Sequence, residues 1–285
     1  MTMGNPLVIS LAFVLTVASL VAVNASEWLA LGLIILAGIP HGSFDLRVAE
    51  ARWLPWCRSR LAVLALYVLI GAAMSAVCLT FPGIGIAVFL AISALHFAQG
   101  EMPDSSRTSA ACFGVAAITC PIAFHPEAAQ GYLSFFVPEA AFAQATPAIR
   151  ALGVVLFAAC IVSTALDVHR GRSSQLLQRL VCLCAWLVLP PLSGFAVWFI
   201  GRHSRQHLSQ CRELFKGARF GLPSDFIVIS LLAILLIIPL AARFNLSDIH
   251  ELFAASIVLI AGLTLPHMIV SHDLRGTLEQ MRHRA

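Results

Sequence analysis

Long apolar runs separated by short polar breaks are the feature that most limits how this chain folds. The runs cover residues 6–23, 28–44, 61–81, 84–99, 108–124, 148–166, 176–200, 222–242 and 253–271. Each approaches the ~20 residues that a helix needs to cross the hydrocarbon core of a bilayer. The chain is 59% apolar and 11% charged, whereas soluble domains contain about 25% charged residues. The sequence therefore predicts an all-α, polytopic integral membrane helical bundle and excludes a soluble fold.

Two regions decide the number of helical segments. Residues 131–146 are apolar but contain Pro138, which favours a short or interfacial helix. The run 176–200 is interrupted by two prolines at 190–191, and such a pair kinks a helix or separates two short ones. With both regions counted as helical, we expect about ten helical segments.

The basic residues, 17 Arg and one Lys, lie mostly in the breaks between the apolar runs. In a membrane protein this bias marks cytoplasmic loops and not a nucleic-acid surface. The basic breaks are 45–60, 167–179 and 201–220, and those without Lys or Arg are 24–27, 82–83 and 125–134. The pattern predicts a multi-pass protein of the cell inner membrane, with both termini in the cytoplasm. It also requires the chain to turn back at the double proline, and it fits one membrane domain covering residues 1–285.

His203 and His207 are the strongest metal-binding signal in the sequence. They are four residues apart, so a helix would present both imidazoles on one face. They follow an apolar run and are flanked by Arg202 and Arg205, which places them where a membrane helix meets water. Two imidazoles are too few for a tight metal site, so we expect further ligands from other helices.

Two other histidines, at the ends of apolar runs, are candidate ligands. His41 lies beside Gly42, which permits close backbone approach, and four residues before Asp45. A carboxylate at this distance is suited to accept a hydrogen bond from a ligating imidazole. His96 ends the run 84–99, and an ionisable group inside a membrane is a functional candidate by default. Taken alone, either histidine is equally well explained as a hydrogen-bonded interfacial or core residue.

The last apolar run ends in a second polar group. His267 follows a proline, as His41 does, and His272 is followed directly by Asp273. These residues are suited to support the ligands or to line the pocket, and direct contact of His267 or His272 with the metal stays open. The residues expected in such supporting roles are Asp45, Glu101, His267, His272 and Asp273.

Aromatic residues next to the candidate ligands are suited to line an apolar tunnel, although core packing explains any one of them. They are Phe97, Phe195, Trp198 and Phe199.

The remaining titratable residues are expected to lie outside the site. His125, His169, His250 and His283 fall in breaks or in the tail and are interpreted as solvated. The eight cysteines include no CxxC pair, which favours small buried residues over disulfides or zinc ligands. The carboxylates lie almost wholly in predicted loops, which disfavours a transporter.

The motifs described above, in their order and spacing, resemble the Brp/Blh family of bacterial integral-membrane β-carotene 15,15′-dioxygenases. The resemblance rests on PHGSFD at 40–45, HF at 96–97, HSRQH at 203–207 and LPH at 265–267. Together with the number of apolar runs, it covers nearly the whole chain.

The resemblance implies a non-haem iron enzyme. It implies Fe(II) bound by His41, His96, His203 and His207, and cleavage of the central double bond of β-carotene by O₂ into two all-trans-retinal molecules. Its partners would be β-carotene or a related carotenoid, O₂ and the lipid bilayer, with a retinal-binding rhodopsin as a downstream user of the product.

Two other function classes remain open from the residues alone. A membrane di-iron desaturase or hydroxylase would also use histidines, but such sites typically need HxxHH clusters that this sequence lacks. A haem-binding or transport membrane protein could use the same imidazoles. A haem absorption band would identify a haem-binding protein.

Overall fold

All regular secondary structure in the described part of the chain is helical, which confirms the predicted fold class. The computed structural model describes residues 6–99, 106–214, 230–231, 233 and 235–284, with only the backbone described at some positions. The chain divides into two compact units. The first unit consists of Met1–Gly38 and Leu90–Arg205, and the second of Ile39–Phe89 and Gln206–Ala285.

The first unit contains most of the helices. They are α1 (Pro6–Val21), α2 (Val23–Leu33), the end of α5 (Pro82–Ala98), α6 (Arg107–Phe124), α7 (Pro126–Leu133), α8 (Glu139–His169), α9 (Leu176–Val188) and α10 (Pro191–Trp198). Two π-helical segments, Ile34–Gly38 and Phe199–Ser204, follow α2 and α10 and pack against each other.

Small residues allow close helix packing in the first unit. Gly153 of α8 lies against Ala123 of α6, and Gly114 of α6 lies against the backbone at Phe97 and Ala98 of α5. Backbones approach this closely only where no side chain intervenes.

The second unit is built around α4 (Arg60–Thr80) and α12 (Ile249–Arg284). Gly71 and Gly262 meet where these helices cross, since a Cβ on either glycine would lie within 2.9 Å of the other's carbonyl oxygen. The unit also contains a 3₁₀ turn (Ile39–Gly42), α3 (Asp45–Cys57), the start of α5, nearly all of α11 (Arg205–Leu214) and a second 3₁₀ turn (Ile238–Ala242). Its buried core draws on α3, α4, α11 and α12 through Phe44, Val48, Ala49, Val63, Cys211 and Val270.

Four of the described helices are long and apolar enough to cross a membrane: Arg60–Thr80, Arg107–Phe124, Glu139–His169 and the Ile249–Ser271 part of α12. Many large apolar side chains of α1, α4 and α8 are exposed, as expected for helices that face lipid. These features agree with the predicted membrane protein.

The chain turns back at the double proline, as the sequence predicts. Helix α9 ends at Val188, and α10 begins at Pro191. Gly194 of α10 then lies against Ala185 and Trp186 of α9, so the two short helices form a hairpin.

Several predicted boundaries are wrong. The run 28–44 is not one helix, since α2 starts at Val23 and gives way to π and 3₁₀ turns after Leu33. The region 131–146 does not form its own segment, because α8 starts at Glu139 and continues through Pro147 as 31 residues of helix. The last helix runs past the predicted end at 271 to Arg284. Most of the run 222–242 lies outside the described residues.

Two basic residues that the sequence assigns to loops are buried. Arg179 is 2% exposed, and its Nη1 lies 3.0 Å from Oδ2 of Asp167, which is fully buried. Arg202 is also buried and donates from Nη1 to Oε1 of Gln175 at 2.5 Å. Burial lowers the pKa of Arg202 to about 10, so its guanidinium is still charged at neutral pH. Arg179 and Arg202 thus lie in polar breaks of the sequence, and through their contacts with Asp167 and Gln175 they also help to fix the ends of helices in the first unit.

Candidate functional site

In the second unit, the buried carboxylate of Asp45 lies close to a tyrosine and two histidines. Its Oδ2 accepts a hydrogen bond from the Tyr67 hydroxyl at 2.9 Å and lies 2.8 Å from Nδ1 of His267. Its Oδ1 lies 4.0 Å from Nε2 of His207. Asp45, His207 and His267 are all buried, and one ligand atom from each lies within 4.8 Å of the others. The arrangement has the donor types and spacing of a metal site.

The turn before α3 explains how Asp45 reaches this position. The Ser43 hydroxyl donates to the carbonyl of Pro40, which closes the turn. A Cβ on Gly42 would lie 3.1 Å from Oδ2 of Asp45 and 3.8 Å from Nδ1 of His267. The structure shows the close backbone approach predicted at Gly42 and places Asp45 against the imidazole of His267. The predicted support of a ligating histidine by Asp45 stays a prediction.

Sequence reasoning missed two members of this cluster, Tyr67 and Cys211. Cys211 lies one turn after His207 on α11, and its Sγ is 3.4 Å from Nε2 of His207. Burial, and secondarily the Asp45 carboxylate, raise the pKa of the Cys211 thiol, which keeps it protonated. The four-residue spacing from His207 was an available signal, whereas Tyr67 lies in an apolar run with no local motif.

The first unit places two candidate ligands side by side. The ring centroids of His96 and His203 are 5.0 Å apart. His96 is buried near the end of α5, and His203 is half-buried in the π-helical segment after α10. This distance brings two of the four predicted ligands together.

The four predicted aromatic residues surround His203 in the first unit. Phe97 lies 4.6 Å from it between ring centroids, and Trp198 and Phe199 stack on it at 5.6 Å each. Phe195 in turn stacks on Phe199 at 5.1 Å. One side of His203 is therefore lined with apolar ring surface.

A second buried carboxylate, Glu27 of α2, fixes the start of α10. Its oxygens accept from the backbone N–H of Ser193 at 3.0 Å, from that of Leu192 at 3.3 Å and from the Ser193 hydroxyl at 2.9 Å. Tyr132 also donates to Glu27, and burial together with this carboxylate raises the pKa of Tyr132. Glu27 thus satisfies the N–H groups that a helix start leaves without partners.

Two predictions about carboxylates and histidines need correction. Glu27 and Asp167 are buried in helices and Asp45 at the start of one, so the argument that the carboxylates lie in loops is wrong. His125 is half-buried, with its Nε2 shielded from solvent. His169 and His250 are exposed, as predicted.

Other predicted site residues lie partly or wholly outside the described part. For His41, in the 3₁₀ turn Ile39–Gly42, and for His272 and Asp273, in α12, the backbone alone is described. Glu101 lies outside the described residues. Their predicted roles stay predictions, as does that of the tail residue His283.

The described helices include several fit to cross a membrane, and buried histidines lie beside a carboxylate. These features define a class, the helical membrane proteins with a candidate metal site. A family profile described as beta-carotene 15,15′-dioxygenase matches residues 32–275. The chain therefore belongs to the β-carotene 15,15′-dioxygenase family and is a carotenoid-cleaving enzyme.

One curated relative supports the same assignment. The chain is 26% identical over 195 residues to a protein of an uncultured marine bacterium (66A03) named beta-carotene 15,15′-dioxygenase, which covers 64% of this chain and 68% of that protein. No solved structure matches the chain.

Proposed function

We propose that the protein cleaves the central 15,15′ double bond of β-carotene with O₂, with Fe(II) as cofactor, to give two all-trans-retinal molecules. The observation that carries the proposal is the family match over residues 32–275, which includes every histidine in the two buried clusters. The alternative of a di-iron desaturase or hydroxylase has no comparable support, nor has a haem-binding or transport protein.

His41, His96, His203 and His207 are the proposed iron ligands. The 5.0 Å separation of His96 and His203 and the burial of His207 beside Asp45 support three of the four. His41 rests on its place in the PHGSFD segment and on the family. Neutral imidazoles suit iron and leave coordination positions for other groups. Bound Fe(II) would supply the activation of O₂.

The buried charge of Asp45 fits a cation at this position. No Lys or Arg among the described side chains forms an ion pair with it, and its hydrogen-bond partners are Tyr67 and His267. Hydrogen bonds from neutral groups offset only part of the cost of burying a carboxylate charge, and a bound divalent ion would offset more of it. The donor set is therefore suited to a metal such as iron.

The aromatic surface around His203 is the proposed binding surface for the polyene. Phe97, Phe195, Trp198 and Phe199 offer ring faces and edges, against which a conjugated hydrocarbon packs without leaving polar groups unsatisfied. A C40 hydrocarbon resides in the bilayer, so a membrane enzyme can take it up laterally from lipid.

We infer that the enzyme lies in the cell inner membrane with both termini in the cytoplasm, because the Arg-rich breaks favour that orientation. Retinal released into the same membrane would be available to a retinal-binding rhodopsin.

Expression in cells that accumulate β-carotene tests the activity. We expect loss of orange colour and appearance of retinal by chromatography, with two retinal formed per β-carotene consumed. His203→Ala should abolish the product, whereas His169→Ala, an exposed histidine of the same unit, should leave it unchanged. Membrane-inserted protein supplied with iron that forms no retinal would contradict the proposal.

A further inference from the structure

His267 is held in one orientation by a hydrogen-bonded chain from three helices. Tyr67 of α4 donates to Oδ2 of Asp45 at the start of α3, and Nδ1 of His267 in α12 lies 2.8 Å from the same oxygen. Asp45 is 2% exposed and His267 is 5% exposed, so water does not compete strongly for these bonds. The three side chains therefore form one hydrogen-bonded group within the second compact unit.

The hydrogen bonds through Asp45 also determine which ring nitrogen of His267 bears the proton. An ionised carboxylate only accepts hydrogen bonds, so Nδ1 of His267 carries the proton that it donates to Asp45. Nε2 then carries the lone pair, which is the form in which an imidazole binds a metal. A carboxylate bonded to the opposite nitrogen is the usual support of a ligating histidine, because it fixes the ring and raises its basicity.

His267 also lies beside a proposed ligand. The ring centroids of His207 and His267 are 4.8 Å apart, and Asp45 is close to both through its two different oxygens. Two imidazoles at this separation are near enough to share one ion, since a ligand–metal distance is about 2.0–2.1 Å for nitrogen and the rings extend outward.

From these contacts we infer that His267 is a further ligand of the metal, oriented by Asp45, which is itself fixed by Tyr67. The inference rests on the proposed function, since it assumes that the protein binds iron. It assigns Asp45 and Tyr67 as positioning residues for the His267 ring, because both hydrogen bonds converge on Oδ2 of Asp45.

The test measures iron affinity without turnover. The full chain is purified in detergent under nitrogen and titrated with Fe²⁺ against a ferrous chelator, and the nitric oxide adduct is examined by electron paramagnetic resonance. His267→Ala should weaken Fe²⁺ binding at least ~100-fold. Asp45→Asn should weaken it ~10- to 100-fold. Tyr67→Phe should have a smaller effect in the same direction. His250→Ala, which removes an exposed histidine of the same helix, should bind as the parent does.

Two further measurements separate a ligand from a residue that only supports the fold. His267→Gly should regain Fe²⁺ binding when free imidazole is added, and its resonance spectrum should return toward that of the parent. Circular dichroism and gel filtration establish that each variant is folded. If His267→Ala misfolds, Tyr67→Phe still tests the inference. This substitution keeps the aromatic ring at position 67 and removes only the hydroxyl that donates to Asp45.

The outcomes distinguish this inference from the proposed function. A parent protein that binds no Fe²⁺ would overturn the proposed function. A parent that binds Fe²⁺, together with folded His267→Ala and Tyr67→Phe variants of unchanged affinity and spectrum, would overturn the inference alone.

Discussion

At the scale of single residues, the two tyrosines of the chain share one role. Tyr67 donates to Asp45 and Tyr132 to Glu27, and both carboxylates are buried. Each carboxylate in turn fixes a structure near the candidate ligands, Asp45 through His267 and Glu27 through the start of α10. In both cases a tyrosine hydroxyl therefore stabilises a buried carboxylate.

The candidate site was predictable to the extent that its residues lie in local motifs. The HxxxH spacing and the proximity of Gly42 to Asp45 identified His203, His207 and Asp45, and the order of motifs added His96. Tyr67 and Glu27 were missed because their partners are far away in the sequence, so no spacing rule links them.

Removing the Glu27 carboxylate should destabilise the first unit. Glu27→Ala leaves the backbone N–H groups of Leu192 and Ser193 buried without their acceptor, at about 1–3 kcal/mol for each orphaned group. The Ser193 hydroxyl keeps the Ser26 carbonyl as an acceptor. A fall in Tm of about 5 °C or more is expected in detergent. The matched control is Glu127→Ala, whose side chain is 81% exposed and pairs with Arg150, where the expected loss is about 1 kcal/mol or less. Equal shifts in both variants would contradict the capping role.

Phe97 offers a test of the aromatic surface around His203. Phe97→Leu keeps an apolar side chain but removes ring contacts to Trp198 and His203. An aromatic pair is worth about 0.5–1.5 kcal/mol, so kcat/KM for β-carotene should fall about 2- to 10-fold. The control is Phe124→Leu, which removes an aromatic pair with Phe157 elsewhere in the same unit. An unchanged kcat/KM for Phe97→Leu would argue that the ring serves packing alone.

At the scale of helices, sequence patterns predicted the existence of elements better than their limits. The double proline correctly located the hairpin between α9 and α10, because proline lacks the N–H that a continuing helix needs. Pro147 has the same chemistry yet lies inside α8, since the rest of a long helix can tolerate one lost hydrogen bond. The π-helical segments at Ile34–Gly38 and Phe199–Ser204 leave no mark in hydropathy, because they change the backbone register and not the residue types.

The contact of α6 with α5 can be tested with a single methyl group. A Cβ on Gly114 would overlap the backbone of Phe97 and Ala98, and backbone atoms cannot rotate away. Gly114→Ala should therefore cost about 1–3 kcal/mol as an overpacking substitution and should weaken iron binding by displacing the end of α5. Gly32→Ala is the control, since a Cβ there meets nothing within 4 Å, and better helix propensity should leave it neutral or slightly more stable. Thermal unfolding and iron content measure both, and a neutral Gly114→Ala would mean that the helices separate readily.

At the scale of the whole molecule, composition predicted the fold class but not the organisation of the chain. Hydropathy reports which segments avoid water, so the all-α membrane class followed directly from the apolar runs. The two compact units are each formed from segments distant in sequence. The changes of unit after Gly38 and after Phe89 fall inside predicted apolar runs, and the change after Arg205 falls in the break 201–220. The family match covers segments of both units.

The orientation in the membrane follows from charge and can be tested at two exposed serines. Ser173 lies in the Arg-rich break 167–179, which we expect in the cytoplasm, and Ser134 lies in the break 125–134, which lacks Lys and Arg. Because basic loops are retained on the cytoplasmic side, Ser134→Cys should react with a membrane-impermeant maleimide in intact spheroplasts. Ser173→Cys should react only after the membrane is permeabilised, and labelling of the parent chain gives the background from its native cysteines. The reverse labelling pattern would show the opposite orientation, with the Arg-rich breaks outside the cytoplasm. Labelling of both positions in sealed spheroplasts would mean that they share the outer side, which would contradict a single membrane crossing by α8.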